Sequence, residues 1–237
     1  ADIANVCNEA GLIAARKKKN AIETQDFFDA IDRVVGGLEK KSKIISPSEK
    51  KVIAYHEAGH ALISWMLSNV DPLLKVSIIP RGKALGGAWY VPEERQIITH
   101  TQFFDRICAG LGGRVAEELV FNEASSGALD DLEKVTKQAY TMVAKLGLSK
   151  KIGNISFYDS TQVYENSFQK PYSEATAAMI DEEVRVLVEQ AHQTSKAILE
   201  KNRDKLDALS KLLLEKEVIY KKDIESVLGK RLVKEET

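Results

Sequence analysis

Val52-Ile-Ala-Tyr-His56-Glu57-Ala-Gly-His60-Ala-Leu-Ile-Ser-Trp65 decides how the rest of this sequence is read. It carries the pattern H-E-x-x-H inside an apolar helical run. Residues four apart on a helix stand one turn above the other on one face, so the imidazoles of His56 and His60 can reach a single ion. Glu57 projects beside that ion, placed to take a proton from an attacking water. Ser46-Pro47-Ser48-Glu49 reads as a capping box with proline at the first helical position, so a helix starts where the motif needs one. Ile53, Ala54, Ala58, Ala61, Leu62 and Trp65 make most of the remaining surface apolar, and the helix is expected to be buried. Two histidines and a glutamate have little reason to sit there unless a partner satisfies them. Gly59 lets another backbone approach the metal face, at some cost in helix propensity. The residues predict a zinc site with His56 and His60 as ligands and Glu57 as base, the arrangement of a metallopeptidase.

The chain has 237 residues, enough for one large or two small domains with a sizeable core. It is 44% hydrophobic and 29% charged, with a formal net charge of −1, so no global basic excess points to nucleic acid. Cys7 and Cys108 lie far apart and form no C-x-x-C pair, which reads as reduced thiols in a reducing compartment. No apolar run approaches the length of a membrane span and no signal peptide is visible. The chain opens on Ala1-Asp2 inside an expected helix, and reads as an excised fragment.

The fold class expected is mainly α with a small β-sheet. Residues 3–18 carry Ile3, Val6, Ala10, Ile13 and Ala14 at helical spacing and end in Arg16-Lys-Lys-Lys19, basic residues that suit a helix C-terminus. Thr24 is the expected cap of a second helix with Phe27, Phe28, Ile31, Val34 and Val35 inward, stopped by Gly36-Gly37. Residues 38–46 read as a polar linker. After the metal helix, Leu74 to Pro80 and Ala88 to Val91 are predicted strands, with Pro80 and Pro92 confining them to edges or ends. An edge strand beside the motif helix can bind an extended peptide by strand addition, or be a plain structural hairpin. Gly86, Gly87 and Ala88 are the substrate-contact candidates.

From Thr101 the pattern is helical again, with Phe103, Phe104, Ile107, Leu111, Val115, Leu119 and Val120 inward. Gly110 and Gly112-Gly113 mark a tight helix–helix approach or a break. A helix is expected from Asp130-Asp131 to Leu146-Gly147, then a short strand over Asn154–Phe157 and an exposed loop to Pro171. A long amphipathic helix begins at Ser173, two shorter ones lie around Leu206–Leu214 and Asp223–Leu228, and the last residues, 233–237, are charged and frayed.

Zinc needs a third protein ligand and an open fourth position. His100 falls in an expected loop, and His192 on a helix with its own apolar stripe; both read as solvent-facing. A distal carboxylate must serve, and Glu117, Glu118, Asp130 and Asp131 all qualify by residue type. First-turn aspartates are common simply as caps, and the spacing does not choose.

His56-Glu-Ala-Gly-His60, Lys75-Val-Ser-Ile-Ile-Pro-Arg-Gly82, Leu85-Gly86, Gly112-Gly-Arg-Val-Ala-Glu-Glu118 and Gly127-Ala-Leu-Asp-Asp-Leu132 together resemble the FtsH family of membrane-anchored, ATP-dependent AAA zinc metalloproteases. The resemblance runs nearly end to end. Gly36-Gly-Leu-Glu-Lys-Lys41 and Lys170-Pro-Tyr-Ser-Glu-Ala-Thr176 look most like the mitochondrial matrix-facing (m-AAA) branch and related bacterial members. The resemblance implies the end of a helical AAA lid over residues 1–37, a linker over 38–46 and a helical zinc metalloprotease domain over 47–232. It implies Asp131 as third ligand, although Asp130 stands where many members have Asn and is kept as an alternative. It also implies a homo-hexamer, or a hetero-hexamer with a paralogue, that encloses its active sites, takes protein substrates and is fed by an ATPase ring using ATP and Mg2+. The membrane contact would lie in a preceding region, with the catalytic part facing a bacterial cytoplasm or mitochondrial matrix. Walker A and Walker B sequences are absent from these residues, so they are expected to bind no ATP. The competing expectations are a free-standing zinc aminopeptidase and a non-catalytic hexamerisation module with a vestigial site, which intact His56, Glu57 and His60 argue against.

Overall fold

Helix α3 (Pro47–Met66) is the element that the rest of the chain surrounds in this computed structural model, which describes residues 2–39, 45–82, 84–94, 96–157 and 171–231. Its start follows from local chemistry. Ser46 Oγ accepts the Glu49 N–H at 3.2 Å, Glu49 Oε2 accepts the Ser46 N–H at 3.1 Å, and Pro47 occupies the first turn, where no donor is missed. From Ile53 to Trp65 every residue but Tyr55 is buried, as expected for a helix that is apolar nearly all round.

Before it lie α1 (Asp2–Arg16) and α2 (Thr24–Val35). After it come β1 (Leu73–Ser77), β2 (Gly87–Tyr90), α4 (His100–Phe121), a 3-10 turn at Ser126–Ala128 and α5 (Leu129–Tyr140). A wide π turn, Thr141–Lys145, extends α5, and α6 (Glu174–Lys201), α7 (Arg203–Lys216), β3 (Val218–Tyr220) and α8 (Lys221–Leu228) follow. Thus a mainly helical domain carries a three-stranded antiparallel sheet in the order β2-β1-β3. Among the described residues no helix is long and apolar enough to cross a membrane.

Helix α4 crosses α3 at very short range because both backbones present glycine. A Cβ added at Gly59 would lie 2.3 Å from the Gly112 carbonyl oxygen, and one at Gly112 would lie 2.8 Å from that of Gly59. The glycines of α4 therefore mark an approach and not a break. Ile107, Leu111 and Val115 carry the buried face of α4, with Phe103, Phe104, Leu119 and Val120 packed partly buried around them. Helix α6 closes over α4, where Ser195 Oγ–H donates to Cys108 O at 3.0 Å, and α7 closes over α3, where Tyr55 O–H donates to Asp207 at 2.9 Å.

Several local expectations are corrected. Thr24 is the first residue of α2 and Glu23 its cap; the Glu23 N–H donates to Asp26 Oδ2 at 3.1 Å. Asp26 reaches back because Lys17 and Lys19 clamp it at 3.1 and 2.9 Å, so these two lysines are paired. Phe28, Ile31 and Val35 are exposed; Asp26 and Ala30 are what α2 buries. β1 ends before Pro80 as expected; the unforeseen element is β3, which pairs along its other side and puts β1 in the centre of the sheet. β3 is too short and too close to two helices for alternation to announce it. Asn154–Phe157 is not a strand: with no sheet partner, its Phe157 N–H docks on Ala144 O at 2.8 Å, at the end of the π turn. The loop expected up to Pro171, most of the 38–46 linker and the 233–237 tail fall largely or wholly outside the described residues.

Helix α2 meets the sheet through a buried cation. The Lys75 ammonium bonds Asp32 and lies 4.9 Å from the centre of the Trp89 ring, and Arg81 approaches the same Asp32 at 3.6 Å. The Gly82 N–H donates to Leu38 O at 3.2 Å beside them.

Gly59→Ala tests the crossing. In a solvated helix the change gains about 1 kcal/mol. Here the methyl meets the Gly112 backbone, and denaturant unfolding is expected to show a net loss of about 1–2 kcal/mol, an overpacking cost near the top of the usual range less that gain. A more stable variant would mean that α3 and α4 do not touch at this point.

Candidate metal centre

The crossing brings one turn of α3 against the middle of α4, and the two histidines are fixed from behind by α4. The His56 Nδ1–H donates to Glu117 Oε1 at 2.7 Å, and the His60 Nδ1–H donates to Ala109 O at 2.8 Å. Each neutral ring then carries its lone pair on Nε2, and these two atoms face each other at 3.0 Å. Asp131, in the first turn of α5, completes the group, with Oδ2 at 3.2 Å from His56 Nε2 and 3.3 Å from His60 Nε2. Two lone pairs and a carboxylate oxygen repel one another at this separation, and only a cation reconciles them. Imidazole and carboxylate donors in a set of three are also what a tetrahedral zinc site with one open position uses. The residues fit the metal.

A proton is the other cation that can serve. Burial lowers the His56 pKa, but hydrogen bonds with Asp131 and Glu117 overcome that and raise it to about 10. Burial likewise opposes ionisation of Asp131, yet the bonds to both histidines hold its carboxyl well below the usual carboxylate range.

Local structure explains why Glu117, and not its neighbours, stands behind His56. Gly113 lies one turn before Glu117 on α4, and a Cβ there would lie 2.4 Å from the His56 ring. The missing side chain admits the ring, and the carboxylate one turn on holds it. Glu117 Oε2 accepts the Ser125 N–H at 2.8 Å, while Arg114 donates to Ser125 O at 2.8 Å and Ser125 Oγ accepts the Gly127 N–H at 3.1 Å. Ser125 therefore ties the histidine's partner to the turn that launches α5 and Asp131. Glu118 points elsewhere, between Arg114 at 3.2 Å and His192 at 2.8 Å. His192 is half-buried on that pairing and not simply solvent-facing, whereas His100 begins α4 exposed. Asp130 is exposed and paired with Lys134 at 2.5 Å. Glu117 as a ring-orienting group is absent from the sequence-level reading; the Gly113–Glu117 spacing one turn apart is the signal that could have found it.

Glu57 is buried next to the histidines, and burial raises its pKa against the opposing pull of His60 and His56. Its carboxylate lies against the chain before β2: a Cβ at Gly86 would sit 2.7 Å from Glu57 Oε1 and 2.8 Å from Ser77 O. Side chains and backbone groups alternate along a strand. The Val91 N–H donates inward to Pro72 O at 2.8 Å, so the Ala88 and Tyr90 backbone groups point to the free edge of the sheet. Tyr90 also bonds Ser64 Oγ at 2.9 Å, and burial pushes its hydroxyl up to about 12.

Chelator competition separates these carboxylates. Asp131→Ala is expected to cost more zinc affinity than the roughly 10–100-fold typical of an outer partner, and Glu117→Gln to fall within that range. Asp130→Ala is expected to keep the affinity of the unmodified chain. Zinc lost in Asp130→Ala and kept in Asp131→Ala would reverse the assignment.

Comparison with known proteins identifies the family. Peptidase family M41 matches residues 43–227. An ATP-dependent zinc metalloprotease FtsH of Parabacteroides distasonis is 55% identical over 231 residues, covering 98% of this chain and 34% of the relative. An FtsH of Rhodothermus marinus is 55% identical over 233 residues, covering 98% and 33%. The mitochondrial inner membrane m-AAA protease component AFG3L1 of Mus musculus is 52% identical over 231 residues, covering 98% and 29%. The chain thus spans about a third of the length of these relatives. With its H-E-x-x-H helix, its distal aspartate and a match over most of its length, this chain belongs to peptidase family M41, the family of the FtsH zinc metalloproteases.

Proposed function

We propose that this chain is the zinc endopeptidase part of an ATP-dependent, membrane-anchored protease that degrades unfolded or membrane proteins. His56, His60 and Asp131 hold the zinc and Glu57 is the general base. The observation that carries the reading is the convergence of two Nε2 lone pairs and one carboxylate oxygen beside a buried carboxylate that belongs to none of them.

Bound zinc supplies a Lewis acid that polarises the scissile carbonyl and makes water a better nucleophile at neutral pH. Glu57 takes the proton from the attacking water and delivers it to the leaving amine. Its burial suits it to that work, because a carboxylate with a raised pKa is a better base near neutrality than an exposed one. Glu117 and Ala109 O keep both rings in the tautomer that presents Nε2. The free edge of β2 supplies backbone donors and acceptors from Ala88 to an extended peptide; Gly86, just before the strand, abuts the base, and Gly87 and Ala88 follow it in the chain. Such recognition reads main chain more than side chain, which suits a protease that must accept many sequences.

In this reading residues 1–37 are the end of an AAA lid, 38–46 a linker, 47–232 the protease domain and 233–237 a tail. ATP and Mg2+ are used by a part of the protein outside these residues. The protein works as a homo-hexamer, or a hetero-hexamer with a paralogue, on protein substrates, and nucleic acid has no role. It resides at a bacterial cytoplasmic or mitochondrial inner membrane through a region outside this chain, with the protease facing the cytoplasm or matrix. The names of the relatives, ATP-dependent and inner-membrane proteases, support that context.

An internally quenched peptide blocked at both ends tests the activity. The zinc-loaded chain is expected to cleave it, and Glu57→Gln to keep zinc while losing about two to four orders of magnitude in rate. Cleavage only of peptides with a free amino terminus would make it an aminopeptidase, and no cleavage with zinc bound would make the site vestigial. Ala88→Pro removes an edge donor, and is expected to raise KM for an extended peptide several-fold with zinc retained. An unchanged KM would remove β2 from substrate binding.

A further inference from the structure

Strand β2 is held against α3 at two points, and their spacing has a consequence for which bond is cut. At one end the Gly86 backbone abuts the Glu57 carboxylate, a contact that fixes a distance but has no direction. At the other, the Tyr90 hydroxyl and Ser64 Oγ share a hydrogen bond of 2.9 Å. From Glu57 to Ser64 the helix rises about 10 Å. From Gly86 to Tyr90 an extended chain covers about 13 Å. The strand therefore runs alongside α3 in the same direction, past His60, from the residue that follows His56.

The ladder to β1 fixes β2 within the sheet, in the register Ser77↔Gly87, Val76↔Ala88 and Lys75↔Trp89. It does not fix the sheet along the helix. Leu73 and Val76 are buried in the same apolar cluster as α3, a contact that is close-packed but carries no direction of its own. Trp89 lies on the opposite strand face, against Lys75. The Lys50–Glu217 pair at 2.5 Å ties the start of α3 to the residue before β3; between α3 and β2 the Tyr90–Ser64 bond is the directional tie among the described residues.

We propose that Tyr90 is a positioning residue for cleavage: through Ser64 it sets the offset of β2 along α3, and so decides which peptide bond of a strand added to the free edge lies over Glu57 and the metal. The inference rests on the strand-addition reading. A peptide paired to β2 inherits the strand's offset, so a slack tie spreads the cuts over neighbouring bonds without touching the chemistry.

The test compares Tyr90→Phe, Ser64→Ala and their combination in the zinc-loaded protein, with cut sites in casein and in a blocked peptide read by mass spectrometry. Tyr90→Phe is expected to scatter cleavage onto adjacent bonds and to raise KM about five-fold, the worth of one hydrogen bond, with kcat changed less than about two-fold. Ser64→Ala is expected to reproduce this, and the double variant to be no worse than either single one. Zinc affinity and melting temperature serve as controls, and Ser64→Ala carries the test should Tyr90→Phe not fold. Wild-type cut sites and KM, additive losses, or a loss of zinc would each overturn the assignment. If Ala88→Pro leaves KM unchanged, strand addition itself fails. If Ala88→Pro raises KM while Tyr90→Phe changes nothing, only the role of Tyr90 falls.

Discussion

The close crossing of α3 and α4 at Gly59 and Gly112 is the constraint on which the candidate site depends. With backbones this near, the groups of α4 that face α3 become the surroundings of the two histidines. Ala109 O falls at His60 Nδ1, Glu117 at His56 Nδ1, and the bare Cα of Gly113 under the His56 ring. A crossing wider by one methyl group would move all three together. The helix-propensity cost of the glycines, about 1 kcal/mol for each replaced alanine, is thus set against the geometry of a metal site.

The site is polar inside an apolar shell, and that governs its electrostatics. His56, Glu57 and His60 are buried and Asp131 partly so, and the protonation of His56, Glu57 and Asp131 depends on the groups beside them. The three that converge are mutually unfavourable without a cation among them. Glu57 stands apart from that set, buried against backbone at Gly86, and burial raises its pKa. His56, His60 and Asp131 converge on one point, and Glu57 lies outside that point within one helical turn.

The sheet brings a second component to the same place. β1 is central and buried, β3 covers one side of it, and β2 is left with an open edge along the metal helix. An open edge is ordinarily a hazard for association. Here it is short, and the residue just before it, Gly86, abuts the Glu57 carboxylate.

The sequence alone determined what depends on local spacing. The histidines four apart, the capping box at Ser46, the apolar surround of α3 and the strands either side of Arg81–Gly87 are all properties of neighbours in the chain. They fixed the α3 helix, its burial, and the identities of His56, Glu57 and His60 as candidates. The β3 strand, the exposed Phe28 and the irregular Asn154–Phe157 escaped such reading, since each is decided by whether a distant partner is present. The third carboxylate escaped it too. Glu117, Glu118, Asp130 and Asp131 are equivalent as residue types, and only the tertiary structure separated them. It did so because a ring partner, an outward ion pair and an oxygen that faces both Nε2 atoms are distinguished by direction in space, set by helix rotation and by the Ser125 tie between α4 and α5, and no local pattern encodes it.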